Sequence, residues 1–383
     1  MNITIQDIVD QAARATDIVS QVRGRMLAPN ARKNPPVFNA SQLAALCEVD
    51  KSQITYRTSK GDLPPGTVNA TGSRREFSLL EAREWVRAYR GNALRPANAP
   101  AMTVAIGNFK GGVSKTTTAM TLAQGLSLRG HRVLVIDTDP QGSLTTLFGI
   151  LPDTEVEEDS TITALATGDQ TSIEYAIRET YWDGIDLVPA SSSLFNVEFI
   201  LPSRQMKEPD FEFWNVLNTS LEQARSNYDV IIIDTPPALS YGTVNAFMAA
   251  DGLIVPTPPN ALDFASSAQF WTLFSDLASN LTAETNTDKS FEFIHVLLSR
   301  VDPADAAAGV VREWISATYA EKVLPVEIPK TAVTAASSAE FGTVYDISRY
   351  DGNAKTYRRA REAYDRVTEI VEQSIVAFWA KSE

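Results

Sequence analysis

The stretch 109–117, Phe-Lys-Gly-Gly-Val-Ser-Lys-Thr-Thr, has the residue types that hold phosphate. It follows an apolar, strand-like run, Met102–Ile106, and precedes a helical run at 118–128. Across Gly111, Gly112, Val113 and Ser114 the backbone N–H groups can close on phosphate oxygens. The helix N-terminus faces the negative charge, and Lys115 adds a full positive charge. The Thr116 hydroxyl is placed to reach Mg²⁺, with Thr117 next in line. The strict form of this loop has glycine where this chain has Phe109 and Ser114. What it has instead is a second lysine, Lys110, opening the loop. That lysine is the most diagnostic residue in the chain.

Two acidic strand ends complete the site. One is Val133-Leu-Val-Ile-Asp137-Thr-Asp139-Pro-Gln-Gly142, the other Val230-Ile-Ile-Ile-Asp234-Thr-Pro-Pro237. In an open α/β sheet, ligands lie beyond the carboxyl ends of the strands, where all three carboxylates fall. Asp234 and Asp137 suit the water shell of a bound Mg²⁺, and Asp139 suits the orientation or activation of an attacking water. A lone aspartate ending a strand is often only a turn former. Three such elements in this order point to one site.

These residues need a sheet to position them. Strand-like runs at 102–106, 133–136, 185–188, 230–233, 252–256 and 293–299 alternate with helical stretches, the pattern of a parallel sheet covered on both faces. The expected fold is an α/β P-loop NTPase with a mostly parallel, doubly wound sheet, preceded by an N-terminal helix and a small winged helix-turn-helix domain. The expected divisions are 1–36, 37–91, a linker at 92–101, and the ATPase domain at 102–383. In the first, Ile5, Ile8, Ala12, Ala15, Val19, Val22 and Met26 step by threes and fours, with Thr4 and Asp7 as a capping box. That helix either pairs with a second copy or packs on its own domain, and prolines at 29, 35 and 36 break it off.

In 37–91, Asn39 or Ser41 caps a helix through Leu43, Ala44 and Leu46, and a turn at 48–50 leads to a second helix at 51–59. In that frame Lys51, Ser52, Gln53, Tyr56 and Arg57 face a DNA major groove. The segment 66–76 supplies a β-wing with Arg74 and Arg75, and a helix at 78–90 turns Leu79, Leu80, Trp85 and Val86 inward. A small helical adaptor is the alternative.

Net charge is −13, yet residues 1–100 hold 14 lysines and arginines against 9 acids, so the acidic excess lies beyond them. A basic module on an acidic enzyme fits that asymmetry. One cysteine, Cys47, and two histidines exclude a disulfide framework and a cysteine/histidine metal centre. No apolar run reaches the ~18–20 residues that span a bilayer. Asp7 and Asp10 stand where a signal peptide would be basic then apolar, so a cytoplasmic location is expected.

Lys110-Gly-Gly-Val-Ser-Lys115-Thr-Thr, with Asp137-Thr-Asp-Pro-Gln and Asp234-Thr-Pro-Pro, resembles the deviant Walker A ATPases of the ParA/MinD family over residues 102–383. With its extension at 1–90, the chain resembles the larger, plasmid-type ParA partition ATPases that also repress their own operon. The resemblance makes Ser114 a tolerated variant and implies slow, Mg²⁺-dependent ATP hydrolysis with ATP and ADP as ligands. It also implies a homodimer bridged by ATP, in which Lys110 touches the other subunit's phosphates.

Segment 328–344, with Pro329 and Phe341, resembles the stretch that contacts adenine. The resemblance further implies a ParB-type centromere-binding partner and a cytoplasmic, nucleoid-associated protein. Non-specific DNA binding would fall to Lys355, Arg358 and Arg359, with Arg366 and Arg349; the alternative is a solvated helix face balanced by Glu362 and Asp365. The tail at 367–383 carries Glu369, Glu372 and Glu383 against Lys381, which disfavours the membrane adsorption of a MinD-type protein. A nucleotide-gated repressor without a segregation role stays open.

Overall fold

The computed structural model describes residues 3–26, 33–68, 72, 74–285, 289–305, 307–331, 342–347 and 353–381. Residues 28–32 of the first linker, 69–71 and 73 of the expected wing, Phe341 and Arg349 lie outside them. The chain divides into two units, residues 1–34 and 35–383. Among the described residues the first holds the helix α1 (Ile5–Met26). Its start is capped as expected: the Asp7 N–H donates to the Thr4 hydroxyl at 3.2 Å, and the Thr4 N–H donates to the Asp7 carboxylate at 2.8 Å. Ile5 and Ile8 of the spaced apolar set are exposed.

The second unit opens with β1 (Phe38–Asn39), α2 (Ala40–Leu46), α3 (Lys51–Lys60), β2 (Thr67–Val68), β3 (Arg75–Phe77) and α4 (Leu79–Tyr89). Asn39 caps α2 and Ser78 caps α4, each in a full capping box closed by Gln42 or Glu81 three residues on. The three short strands form an antiparallel sheet in the order β1-β3-β2. Leu43, Ile54, Phe77 and Trp85 close its core. Leu80 corrects the expectation: it is 53% exposed, because the buried stripe of α4 runs through Leu79, Ala82, Arg83 and Val86, and Leu80 sits a 100° step off it.

The rest is an eight-stranded sheet of β4 (Met102–Ile106), β5 (Val133–Asp137), β6 (Arg178–Glu179), β7 (Ile185–Val188), β8 (Val230–Asp234), β9 (Gly252–Thr257), β10 (Phe293–Val301) and β11 (Val323–Pro329). Its order is β11-β10-β9-β4-β8-β5-β7-β6, parallel except for β6 at one edge. Strands β4, β5, β8 and β9 are buried at every position because both faces are covered: Val104 and Ile106 pack on one side, Ala105 on the other. β4 is central, with β8 on one flank and β9 on the other, so the chain reverses its winding beside it. A crevice forms at such a reversal. The loop after β4 opens into it and runs into α5 (Lys115–Leu128).

The 37–91 module shares its core with the sheet face that α5 covers. Two arginines on α4 and a third at its C-cap reach the far end of α5. Arg83 donates to Ser127 O at 3.1 Å and His131 O at 2.9 Å, Arg87 to Gly130 O, and Arg90 to Arg129 O at 3.0 Å. Carbonyls at a helix C-terminus carry partial negative charge and lack intrahelical partners, so guanidinium groups suit them. Arg83 also pairs with Asp183, and a Cβ on Gly184 would overlap its guanidinium. Segment 92–101 is fastened too: Arg95 bonds Asp229 at 3.1 Å and Ser226 O at 2.9 Å.

Candidate nucleotide-binding site

The loop 107–114 takes the shape its composition allows. Gly107 has the Phe247 ring where a Cβ would be. Gly112 and Ser114 adopt left-handed φ angles of 74° and 76°. Ser114 thus holds, with a side chain, a conformation that glycine adopts without strain, which accounts for glycine in the strict motif. Its carbonyl accepts from the Thr118 hydroxyl at 2.7 Å. Ser299 Oγ donates to Val113 O at 2.9 Å, and Arg300 donates to Gly112 O, so the end of β10 braces the loop.

Strand register brings the carboxylates together. Asp137 pairs directly with Asp234 across β5 and β8, and Ile106, just before the loop, pairs with Asp234 across β4 and β8. Lys115 is buried, and its Nζ donates to Lys110 O at 3.1 Å. Asp137 accepts from the Thr145 N–H at 2.9 Å and hydroxyl at 2.8 Å. Asp234 is fully buried, and neither of its oxygens has a hydrogen bond of ordinary length among the described residues. The Thr116 hydroxyl is still near enough to favour its anion.

Burial, then repulsion between the acids, raises both carboxyls: Asp137 to about 7, despite its Thr145 bonds, and Asp234 well above the carboxylate range. Burial also lowers Lys115, against the pull of Asp234 and Asp139. Three acids around one ammonium in a dry pocket resist ionising together, and a bound cation would favour their charged forms. Among the described residues no three His, Cys, Asp or Glu converge as direct ligands. Mg²⁺ fits that arrangement, since it keeps several waters and takes phosphate oxygens.

A family model described as an AAA domain matches residues 101–287. A putative replication protein A of Rhizobium rhizogenes is 32% identical, over 93% of this chain and 91% of its own. The chromosome partitioning protein ParA of Caulobacter vibrioides is 30% identical, over 70% of this chain and 95% of its own. This chain belongs to the ParA/MinD family of partition ATPases. Protein SopA of Escherichia coli is 28% identical across 98% of both chains, so the likeness of this ParA-family chain extends into residues 1–100. Among solved structures, a partition protein superposes with a TM-score of 0.69 at 19% identity, over 97% of this chain and 98% of its own. A cobyrinic acid a,c-diamide synthase from Mycobacterium smegmatis, solved with an ATP analogue and magnesium, superposes at 0.55 with 28% identity, over 71% and 94%.

The fold places the remaining candidates of this ParA-family chain as follows. Gly111 and Gly112 are exposed at the loop tip, while Thr116 and Thr117 are half-buried in the first turn of α5. Asp139 is buried, its carboxylate accepting from the Gln141 N–H at 3.0 Å. Pro329 ends β11 opposite Val301, and Lys330 beside it faces Asp302 at 3.5 Å. Lys51, Ser52, Gln53 and Tyr56 lie on the exposed side of α3, Tyr56 being 67% exposed. Arg57 is half-buried, tied to Asp62 at 2.8 Å and stacked on Tyr89. Lys51, Arg74 and Arg75 line one concavity of 630 Å³ with Ser41, Thr55 and Ser59. Lys355, Arg358 and Arg359 are exposed at the start of the helix Ala354–Lys381, and Arg366 pairs with Glu369 at 2.6 Å.

Sequence reasoning missed several residues that shape the site. Gln124, fully buried in α5, accepts from the Thr343 hydroxyl at 2.6 Å and donates to Asp346 at 3.1 Å, fastening segment 342–347. Asn108 bonds Pro256 O at 2.9 Å and the Lys110 N–H at 3.0 Å. Asp263 meets Lys110 at 3.5 Å. Only Asn108, adjoining the motif, carried a signal in the sequence.

Proposed function

We propose that this chain is an ATP-driven DNA partition protein. It dimerises around ATP and Mg²⁺, coats nucleoid DNA without sequence preference, and is released when a ParB-type partner speeds slow hydrolysis. It also binds its own operator through residues 37–91. The observation that carries the reading is the buried carboxylate of Asp234, without a hydrogen bond of ordinary length among the described residues, set beside Lys115, Thr116 and Asp137 at the mouth of a phosphate loop. Those groups suit a magnesium nucleotide: Thr116 would hold the ion directly, Asp137 and Asp234 through water, and the bound ion would offset charge on the phosphates. Lys115 neutralises the transferring group, Lys110 adds a cation from the neighbouring subunit, and Asp139 holds the attacking water. Pro329 sits by the base.

The proposed divisions follow the notion of a dimerising α1, a winged DNA reader at 37–91 and an ATPase beyond 101. Supporting this are the exposed polar side of α3 and the basic concavity it shares with Arg74 and Arg75. Lys355, Arg358 and Arg359 supply a second, sequence-blind phosphate contact. The helix Ala354–Lys381 buries Tyr364, Val371, Ile375 and Trp379 in the core, and no described helix is long and apolar enough to cross a membrane. That placement favours a cytoplasmic, nucleoid-associated protein.

ATP turnover measured with and without DNA and a co-encoded partner tests the reading: both additions should raise a slow basal rate, and a rate indifferent to both refutes it. Asp139→Ala should keep ATP-bound protein on DNA through a chase, and prompt release would remove its role. Replacing Arg74 and Arg75 together with alanine should weaken operator binding, lower its salt slope by about two, and spare ATP turnover. Unchanged gel shifts would exclude the wing.

A further inference from the structure

We infer that Asp263 is a positioning residue that holds Lys110 within its own subunit until a neighbouring subunit's triphosphate competes for it. The inference rests on the ATP-bridged dimer proposed above. Asp263 lies in the first turn of the helix Ala261–Thr285. Its N–H donates to Asn260 Oδ1 at 2.9 Å, and Asn260 Nδ2 donates back to its carboxylate. The acid is therefore fixed, with its side chain 12% exposed, whereas the Lys110 side chain is 39% exposed.

The backbone of Lys110 has little freedom. Asn108 ties the preceding turn to Pro256 O, and the Phe109 ring packs on Phe270 of the same helix at 4.6 Å. Phe109, the departure from glycine at the loop's first position, thus anchors the loop to the helix that carries Asp263. What remains mobile is the lysine tip. Its ammonium stands 3.5 Å from Asp263 Oδ1, longer than the ~2.7–2.9 Å of a strong charged hydrogen bond.

A contact of that kind restrains without locking. When Lys110 swings out to a phosphate, it leaves behind a carboxylate with little water around it, and each subunit of a dimer does so once. The pair opposes closure and sets the nucleotide level at which closure occurs. Asp263 touches no nucleotide in this account; it acts through Lys110.

Sedimentation equilibrium of the full chain with a non-hydrolysable ATP analogue and magnesium tests this. Asp263→Asn should tighten the nucleotide-dependent dimer about fivefold over wild type, since two weak pairs no longer resist it. Lys110→Gln should abolish that dimer. A merely structural role in the helix's first turn would lower the melting temperature and loosen the dimer instead. Asp263→Ser, uncharged and compatible with a first helical turn, is the second arm should the asparagine variant fold poorly. Dimerisation equal to or weaker than wild type in both variants overturns the inference while leaving the ATP-bridged dimer standing. A wild-type chain that stays monomeric with the analogue overturns both.

Discussion

Lys115→Ala should reduce ATP turnover by roughly a thousandfold or more, the scale set by losing a positioned charge at a transferring phosphoryl group. Lys115 is a buried cation of the site, and its Nζ rests on the Lys110 carbonyl. Binding therefore needs only a short swing from that carbonyl to a phosphate. Without it, Asp137, Asp139 and Asp234 would face a triphosphate across a dry pocket. The fold should survive, because Asp137 and Asp234 are already biased toward the protonated form and can hold their protons more firmly. Turnover measured beside a thermal melt checks this: lost activity with a near-normal melt is the expected pair of results, and retained turnover would place the chemistry elsewhere.

The same carboxyls give a pH dependence. Asp137 is raised to about 7, so below that pH a proton occupies the place where cationic charge must act. Affinity for magnesium nucleotide should rise as pH climbs through 7, where Asp137 gives up its proton. Calorimetry in buffers of different ionisation heat would register the released proton.

Glu372→Gln is expected to destabilise the fold by roughly 3 kcal/mol, the cost of breaking a buried ion pair from one side. Glu372 gathers Arg90 at 2.9 Å, Arg129 at 3.1 Å and His131 Nε2 at 2.7 Å from two distant parts of the chain. Burial alone would raise its pKa, but the His131 and Arg90 hydrogen bonds, with the Arg129 charge, hold it down to about 2. A depressed acid adds stability that is complete above its ordinary pKa near 4.5 and lost as pH falls toward 2. The gap between wild type and variant in urea unfolding should accordingly be widest near neutrality and shrink below about pH 4.5. A gap that is absent, or constant with pH, would mean that this junction contributes little.

How far these features could be read beforehand depended on distance along the chain. The phosphate loop, the strand-ending aspartates and the caps at Thr4 and Asn39 are local, and the chain shows them in a few adjacent residues. β11 escaped because Pro325 and Pro329 argue against a strand; at the sheet's edge, with one open side, the prolines are tolerated. β6, two residues long, has no pattern to find. The basic excess of residues 1–100 misled in part. Arg83, Arg87, Arg90 and Arg95 are taken up by internal carbonyls and carboxylates, so less of that charge faces outward than the count implied. Lys110 and Asp263 meet across 153 positions, a pairing that no spacing rule reveals.

The three-arginine grip of α4 and its C-cap on the end of α5 constrains how such a chain can be recombined. Residues 37–91 cannot be traded as a cassette between relatives by matching surface and sequence preference alone. A donor would have to bring guanidinium groups at the same four-then-three cadence, and the recipient would need bare backbone at Gly130 and Gly184 to receive them. Chimaeras that ignore this should come out of the cell as insoluble protein, whatever the quality of their two halves.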